Sequence, residues 1–373
     1  MTIHGLGVRA DTLVVTWADM TTTDFPTIWL RDNCPSGLHP QTHERLLDLL
    51  TLEEAPALSS AQVDENGVRL GYEDGHISLL PLSFLAGHRP GRRAADPAAI
   101  ETRLWRSEHA VARYSASPIM NEDAALTAWM QVTAADGLTL IEDLEDRINA
   151  GVDVAERIGF LRKTNFGTTF EVINKPDPNN LAYTSVALPL HTDLPNQEVP
   201  PGYQFLHCLA NEAIGGGSLF ADGFAMAEDL RTDDPKAFDL LCNVEIPFRF
   251  HDGDADILVY KPVITLDAGG NVIEIRYNAH LAGVFDMAAD IMPAYYRAYR
   301  AYMSKTRDAR YRITLKLKAG EMVVFDNRRV LHGRDAFDPS TGFRHLHGCY
   351  VDRGEFASRL RQLSQKTDAS KAA

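Results

Sequence analysis

Cysteine is sparse in this chain. Four residues (Cys34, Cys208, Cys242 and Cys349) are scattered over 373, with no C-x-x-C pair, so they read as reduced thiols rather than a disulfide framework. Long apolar runs are missing as well. Stretches such as Ile257–Tyr260 and Met322–Phe325 fall far short of the roughly 18 or more residues that span a bilayer. The start, MTIHGLGVRAD, lacks a basic n-region followed by an apolar h-region, so a cytoplasmic location with no membrane partner is expected. Basic residues are in deficit: 37 Lys and Arg stand against 51 Asp and Glu, a net charge of −14. Such a surface repels phosphate backbones, which argues against nucleic acid as a partner.

What remains is ordinary in bulk. Apolar residues make up 45% and charged residues 24%, near the roughly 45–50% and 25% of soluble globular proteins. The length exceeds the about 100–200 residues of one domain. Leu13–Trp17, Thr27–Arg31, Leu46–Leu52 and Val68–Leu80 read as short strands split by turns such as Glu65-Asn66-Gly67. His88–Pro97, rich in Pro, Gly and charge, is the linker candidate, giving expected domains of 1–95 and 96–373. Beyond it, Asp123–Ala135 and Val152–Lys163 carry helical spacing. Short strands then dominate, among them Thr169–Ile173, Ala182–Leu190, Tyr203–Leu209, Val272–Tyr277, Met322–Phe325 and His345–Val351, with helical insertions at Ala225–Val244 and Met287–Met303. The pattern predicts a mainly β protein: a jelly-roll or barrel-like core with helices outside, plus a small β-rich N-terminal domain.

One constellation carries chemistry. His191-Thr192-Asp193 follows a strand-like run, and residues i and i+2 of an extended chain share a face. A His and a carboxylate there supply two of the three ligands of a facial triad for non-haem Fe(II), which leaves three positions open. With 13 His and 51 acidic residues such a pair also arises by chance, as a solvated strand end. Further elements match, however. His332 lies just after Met322–Phe325 and the turn Asp326-Asn327-Arg328, at a strand mouth. Arg344 opens the next strand, and its guanidinium fork suits a carboxylate. Ser218 ends Gly215-Gly216-Gly217-Ser218. The order is H-x-D, 24 residues, Ser, 113 residues, His, 11 residues, Arg.

This order resembles the motif of the taurine dioxygenase-like Fe(II)/2-oxoglutarate oxygenases, with the long gap at or just below its usual minimum. Asn179–Thr184, His191–Pro195, Phe325–Arg328, Leu331–Arg334 and Arg344–Gly348 resemble the γ-butyrobetaine hydroxylases, and Trp29–Pro35 resembles that family's extra N-terminal domain. The resemblance implies a double-stranded β-helix, Fe(II), 2-oxoglutarate and O2, a homodimer, and hydroxylation of a small trimethylammonium substrate. By motif, His191, Asp193 and His332 would be catalytic iron ligands, and Arg344, with Ser218 nearby, would hold 2-oxoglutarate. The catalytic-domain motifs also imply substrate contacts. Tyr183 and Tyr350 match positions of an aromatic cage for the ammonium group, and Phe166 and Phe170 fall where the family has further cage aromatics. Asn180 and Asn278 match positions that bind the substrate's acid group.

Arg276 stands two residues before Asn278, within the expected strand Val272–Tyr277, so the two could share a face. With His280, Asn196 and Gln197 nearby in the motifs, that cation tilts the expected substrate towards 2-(trimethylamino)ethylphosphonate, whose three acceptor oxygens suit Arg, His and amides together. Hydroxylation would fall β to nitrogen, with γ-butyrobetaine as the alternative. The resemblance also raises a structural zinc site in the N-terminal domain. Cys34, His39 and His76 match ligand positions, but Ser36 stands where a further Cys would be. Three ligands fall short of the usual four, so zinc and metal-free hydrogen bonding both remain open. Two other classes compete: a non-catalytic betaine-binding protein and a zinc hydrolase. Neither has use for Arg344 at this spacing.

Overall fold

Alternation decides the N-terminal sheets. Along Thr12–Trp17 the side chains of Leu13, Val15 and Trp17 are buried and their neighbours half-buried, the period of a strand with one face on a core. The computed structural model describes residues 2–174 and 184–372 and divides into two units, Met1–Asp96 and Pro97–Ala373. The first holds two three-stranded antiparallel sheets, Ile3–Arg9/Thr12–Trp17/Thr22–Pro26 and Leu58–Asp64/Gly67–Tyr72/Ile77–Leu80. They share a core that includes Leu13, Trp17, Phe25, Leu70 and Leu80.

Two expected strands are not strands. Thr27–Asp32 is a helix that buries Thr27 and Leu30, one turn apart. Leu46–Leu52 forms no sheet, because Asp48 accepts the Leu50 N–H at 2.9 Å and starts a 3-10 turn at Leu49–Thr51. Such a local side-chain bond competes with a sheet ladder.

Among the described residues the second unit carries three two-stranded sheets and is built on a jelly roll of two main sheets. One has the order Leu188–His191, Val330–Arg334, Ser218–Asp222, Arg312–Leu315. The other runs Ala112–Ser115, Leu138–Glu142, Met322–Asp326, Tyr203–Asn211, Arg344–Val351, Thr169–Val172. Along Tyr203–Asn211, Leu206 and Cys208 face the space between the sheets, where Phe220 meets Phe325 at 5.5 Å. Tyr203 and Phe205 face the other way, onto a layer containing Trp129, Phe356 and Leu360 of the helices Asp123–Asp136 and Arg353–Ala372. The expected helix Ala225–Val244 is two, Gly223–Asp233 and Pro235–Asn243. Pro235 has no N–H to continue a helix, and Asp234 caps the new one by accepting the Ala237 N–H. Among the described residues, no helix is long and apolar enough to cross a membrane.

Candidate active site

Sheet register closes the longest gap in the motif. Leu188–His191 pairs antiparallel with Val330–Arg334, and His191 falls directly opposite His332, with ring centroids 4.4 Å apart. The strand ends at His191, so Asp193 does not reach the site by strand alternation. It arrives through a turn whose next residue, Leu194, has a left-handed φ of 53°. Asn327, fully buried, anchors that turn: its Oδ1 accepts the Asp193 N–H at 2.6 Å and its Nδ2 donates to the Asp193 carbonyl at 3.1 Å. Asn327 is itself held in a rigid corner. Arg353 binds Asp326, Arg328 binds Glu274, and Arg329 forms a buried pair with Asp222 at 2.7 Å.

The resulting cluster is His191, Asp193 and His332, with ligand atoms all within 4.8 Å of one another, and it is the one group of three such residues among the described residues. His191 Nδ1–H donates to the Pro189 carbonyl at 2.8 Å. In the neutral ring this leaves the Nε2 lone pair facing Asp193 Oδ1 at 3.2 Å. His332 Nε2 lies 3.6 Å from Oδ2. Burial works against the Asp193 charge, but the His332 and His191 imidazoles when protonated, and the Tyr350 hydroxyl, outweigh it and hold the carboxyl well below its usual range. Burial pushes His332 towards its neutral form. Two imidazoles and one carboxylate converging on a point are a donor set that fits Fe(II) with open positions.

A cavity of about 450 Å³ opens from this cluster. Ser218 and Arg344 line one part of it. Arg344 is 5% exposed, has no acidic partner among the described residues, and its Nε lacks a hydrogen-bond acceptor. Burial pushes its pKa down to about 10. Beside it Arg334 is also lowered to about 10, by burial and then by the Arg344 charge, while donating to the Thr184 and Val186 carbonyls. A buried cation without a counter-ion is costly, so this corner suits an anionic ligand. Phe166, Phe170 and Tyr350 form an aromatic wall. Phe170 stacks on Tyr350 at 5.0 Å, and it lies close over Gly348, where a Cβ would come 2.5 Å from its ring.

Asn278 also lines the cavity; its Oδ1 accepts the His280 N–H at 3.0 Å. Arg276 does not line it, and this corrects the sequence reading. The strand stops at Ile275, so Arg276 and Asn278 do not share a strand face. The Arg276 guanidinium is buried on Glu274 and on the carbonyls of Pro195, Gln197 and Glu198. Asn180 and Tyr183 lie outside the described residues. In the N-terminal unit His76 Nε2 comes within 3.4 Å of the Cys34 thiol, which also meets the Ser36 hydroxyl at 3.1 Å. His39 does not join them: its Nδ1 accepts the Gln41 and Thr42 N–H groups. Cys34, His39 and His76 do not form a cluster of metal-ligating atoms among the described residues.

Sequence reasoning missed Gln204, whose inward direction follows from alternation with Leu206, and Phe250, which meets Phe166 edge-on at 5.3 Å. No motif marked Phe250.

A jelly roll with this His/Asp/His mouth and a buried arginine in the same cavity defines the class of Fe(II)- and 2-oxoglutarate-dependent dioxygenases. The chain matches the taurine catabolism dioxygenase TauD, TfdA family over residues 106–350 and the γ-butyrobetaine hydroxylase-like N-terminal family over residues 6–85. It belongs to the TauD/TfdA dioxygenase family. It is 41% identical over 360 residues to a γ-butyrobetaine dioxygenase of Pseudomonas sp. (strain AK-1), covering 94% of this chain and 93% of that one. Identity to the Homo sapiens γ-butyrobetaine dioxygenase is 29% over 371 residues, 96% of each chain. A mitochondrial trimethyllysine dioxygenase of Gallus gallus is 29% identical over 369 residues, 95% of this chain and 87% of the relative. Among solved structures, an asparagine oxygenase in complex with Fe(II), hydroxyasparagine and succinate aligns with a TM-score of 0.50 and 17% identity. It covers 69% of this chain and 88% of its own, a likeness of fold alone.

Proposed function

We propose that this enzyme hydroxylates a small trimethylammonium carboxylate, with γ-butyrobetaine as the first candidate. The observation that carries the reading is the buried Arg344, without an acidic partner among the described residues, in the cavity that holds His191, Asp193 and His332. A betaine-binding protein or a zinc hydrolase has no use for that arrangement. His191, Asp193 and His332 would hold Fe(II), which with 2-oxoglutarate and O2 supplies the oxidising power to hydroxylate an unactivated C–H as 2-oxoglutarate becomes succinate and CO2. Arg344 would clamp the distal carboxylate of 2-oxoglutarate bidentately, with Ser218 beside it. The protein's own work is to orient the substrate and keep water from the reacting carbon.

A quaternary ammonium group accepts and donates no ordinary hydrogen bond, so aromatic faces must hold it, each contributing about 0.5–2 kcal/mol. Phe166, Phe170 and Tyr350 are the proposed cage, with Phe250 behind Phe166; Tyr183 and Asn180 join it on family resemblance. Asn278 is the proposed partner of the acid group. The phosphonate reading drew on Arg276 together with His280, Asn196 and Gln197; Arg276 is engaged elsewhere, and of the other three His280 alone lines the cavity. Arg249 also reaches the cavity, but it is already paired with Asp256 at 2.7 Å. A monoanionic carboxylate therefore suits the substrate end better than a phosphonate. The relative at 41% identity, a γ-butyrobetaine dioxygenase, supports the same choice. Residues 1–95 carry none of this chemistry; we assign them to forming a homodimer, and we place the enzyme in the cytoplasm.

The test uses purified protein with Fe(II), ascorbate, 2-oxoglutarate and O2. γ-Butyrobetaine, 2-(trimethylamino)ethylphosphonate and trimethyllysine are offered separately, and succinate and a one-oxygen mass gain are followed. Succinate and product from γ-butyrobetaine, well above the other two, are expected. A preference for the phosphonate would overturn the carboxylate assignment and leave the chemistry intact. Stimulation by none of the three would overturn the cage.

A further inference from the structure

Tyr350 belongs both to the aromatic wall and to the ligand cluster. Its ring stacks on Phe170 at 5.0 Å with planes 27° apart, and its hydroxyl donates to Asp193 Oδ2 at 2.7 Å. We propose that Tyr350, beyond any role as a cage ring, is a positioning residue that fixes the Asp193 carboxylate for one-oxygen metal coordination.

Asn327 fixes the Asp193 backbone but leaves the side chain free to rotate. Among the described residues the polar side-chain contacts of Asp193 are His191 Nε2 at 3.2 Å, His332 Nε2 at 3.6 Å and the Tyr350 hydroxyl. Once the two imidazoles direct their lone pairs at a metal, neither has a proton to give the carboxylate from that nitrogen. The phenol then remains as its hydrogen-bond donor among the described residues.

The choice of oxygen matters. A carboxylate that binds through both oxygens covers one of the three positions that a keto acid and O2 need. A hydroxyl on Oδ2 claims a lone pair there and favours coordination through Oδ1. Outer contacts of this kind commonly change metal affinity by about 10–100-fold. Strand geometry supplies the rigidity: Tyr350 lies in Arg344–Val351, opposite Gln204 of Tyr203–Asn211, and is 4% exposed. The proposal rests on the iron reading of the cluster.

Two variants separate the hydroxyl from the ring. Tyr350→Phe removes the hydroxyl and keeps the π face; Phe170→Leu removes the other ring of the stack. Both are titrated anaerobically with Co(II), followed by visible absorption, and assayed for KM and kcat with γ-butyrobetaine. Tyr350→Phe is expected to bind Co(II) about 10–100-fold more weakly, with KM changed by less than about threefold. Phe170→Leu is expected to keep wild-type Co(II) affinity and raise KM. Co(II) affinity of Tyr350→Phe within about twofold of wild type would overturn the proposal. A wild type that binds no Co(II) would remove the iron reading and the proposal with it. Weakened Co(II) binding in Tyr350→Phe with KM unmoved in both variants would support the positioning role while overturning the cage.

Discussion

Asn327 grips Asp193 by both of its backbone polar groups, accepting its N–H at 2.6 Å and donating to its carbonyl at 3.1 Å. The same amide donates to Pro201 at 3.2 Å, so one buried side chain ties three backbone groups together. Asn327→Ala leaves them without this partner, at a cost of about 1–3 kcal/mol per unsatisfied buried group. The expected outcome is a lowered thermal midpoint together with weaker Co(II) binding. Unchanged metal affinity would mean that Leu194's left-handed turn holds Asp193 unaided.

Arg344 offers the cleanest test of the cosubstrate corner. Hydrogen bonds to a charged group are worth about 1.5–3 kcal/mol. Arg344→Gln should therefore raise KM for 2-oxoglutarate about 10–100-fold while leaving Co(II) affinity near wild type. Relief of a buried cation should also keep the thermal midpoint from falling. A wild-type KM for 2-oxoglutarate would move the anion site elsewhere.

Arg276 is a stability residue on the present geometry. Its side chain and that of Glu274 are 4% and 5% exposed, and breaking a buried pair from one side costs about 3–5 kcal/mol. Arg276→Gln should lower the thermal midpoint and leave the ratio of kcat/KM for γ-butyrobetaine and the phosphonate unchanged. A changed ratio at unchanged stability would restore Arg276 to the anion site.

Acid should weaken the fold through His207. Both ring nitrogens are buried without a hydrogen-bond partner among the described residues, and burial, followed by the neighbouring His347, takes its pKa from 6.5 to about 4. Asp146 opposes this shift, whereas Arg147 and His345 add to it; His345 itself sits 3.0 Å from Glu171. Because the folded value is the lower, the folded state binds fewer protons. The contribution is complete above about pH 6.5 and is lost as pH falls towards 4. Urea midpoints across that window should drop less steeply in His207→Met than in wild type. Equal slopes would assign the acid sensitivity to other groups.

Much of the architecture was legible because it is local. Leu13, Val15 and Trp17 alternate, and Leu126, Trp129 and Met130 sit on one side of a helix. Such periods report which side chains share a face before any tertiary contact exists. The reading failed where a single polar side chain redirected the backbone, as Asp48 does at Leu49–Thr51, or where a strand stopped two residues early. Arg276 shows the consequence: beyond the strand end its guanidinium lies on Glu274 and three carbonyls and does not line the cavity.

The sequence by itself determined which residue types could make an iron and keto-acid site and the order in which they occur, since motif spacing survives without coordinates. Only the tertiary structure decided that His191 faces His332 across two antiparallel strands, that Asp193 turns in through Asn327, and that Tyr350 joins the aromatic wall to the carboxylate. These relationships depend on register between strands distant in the chain. Register is set by the packing of whole faces, and no local period contains it.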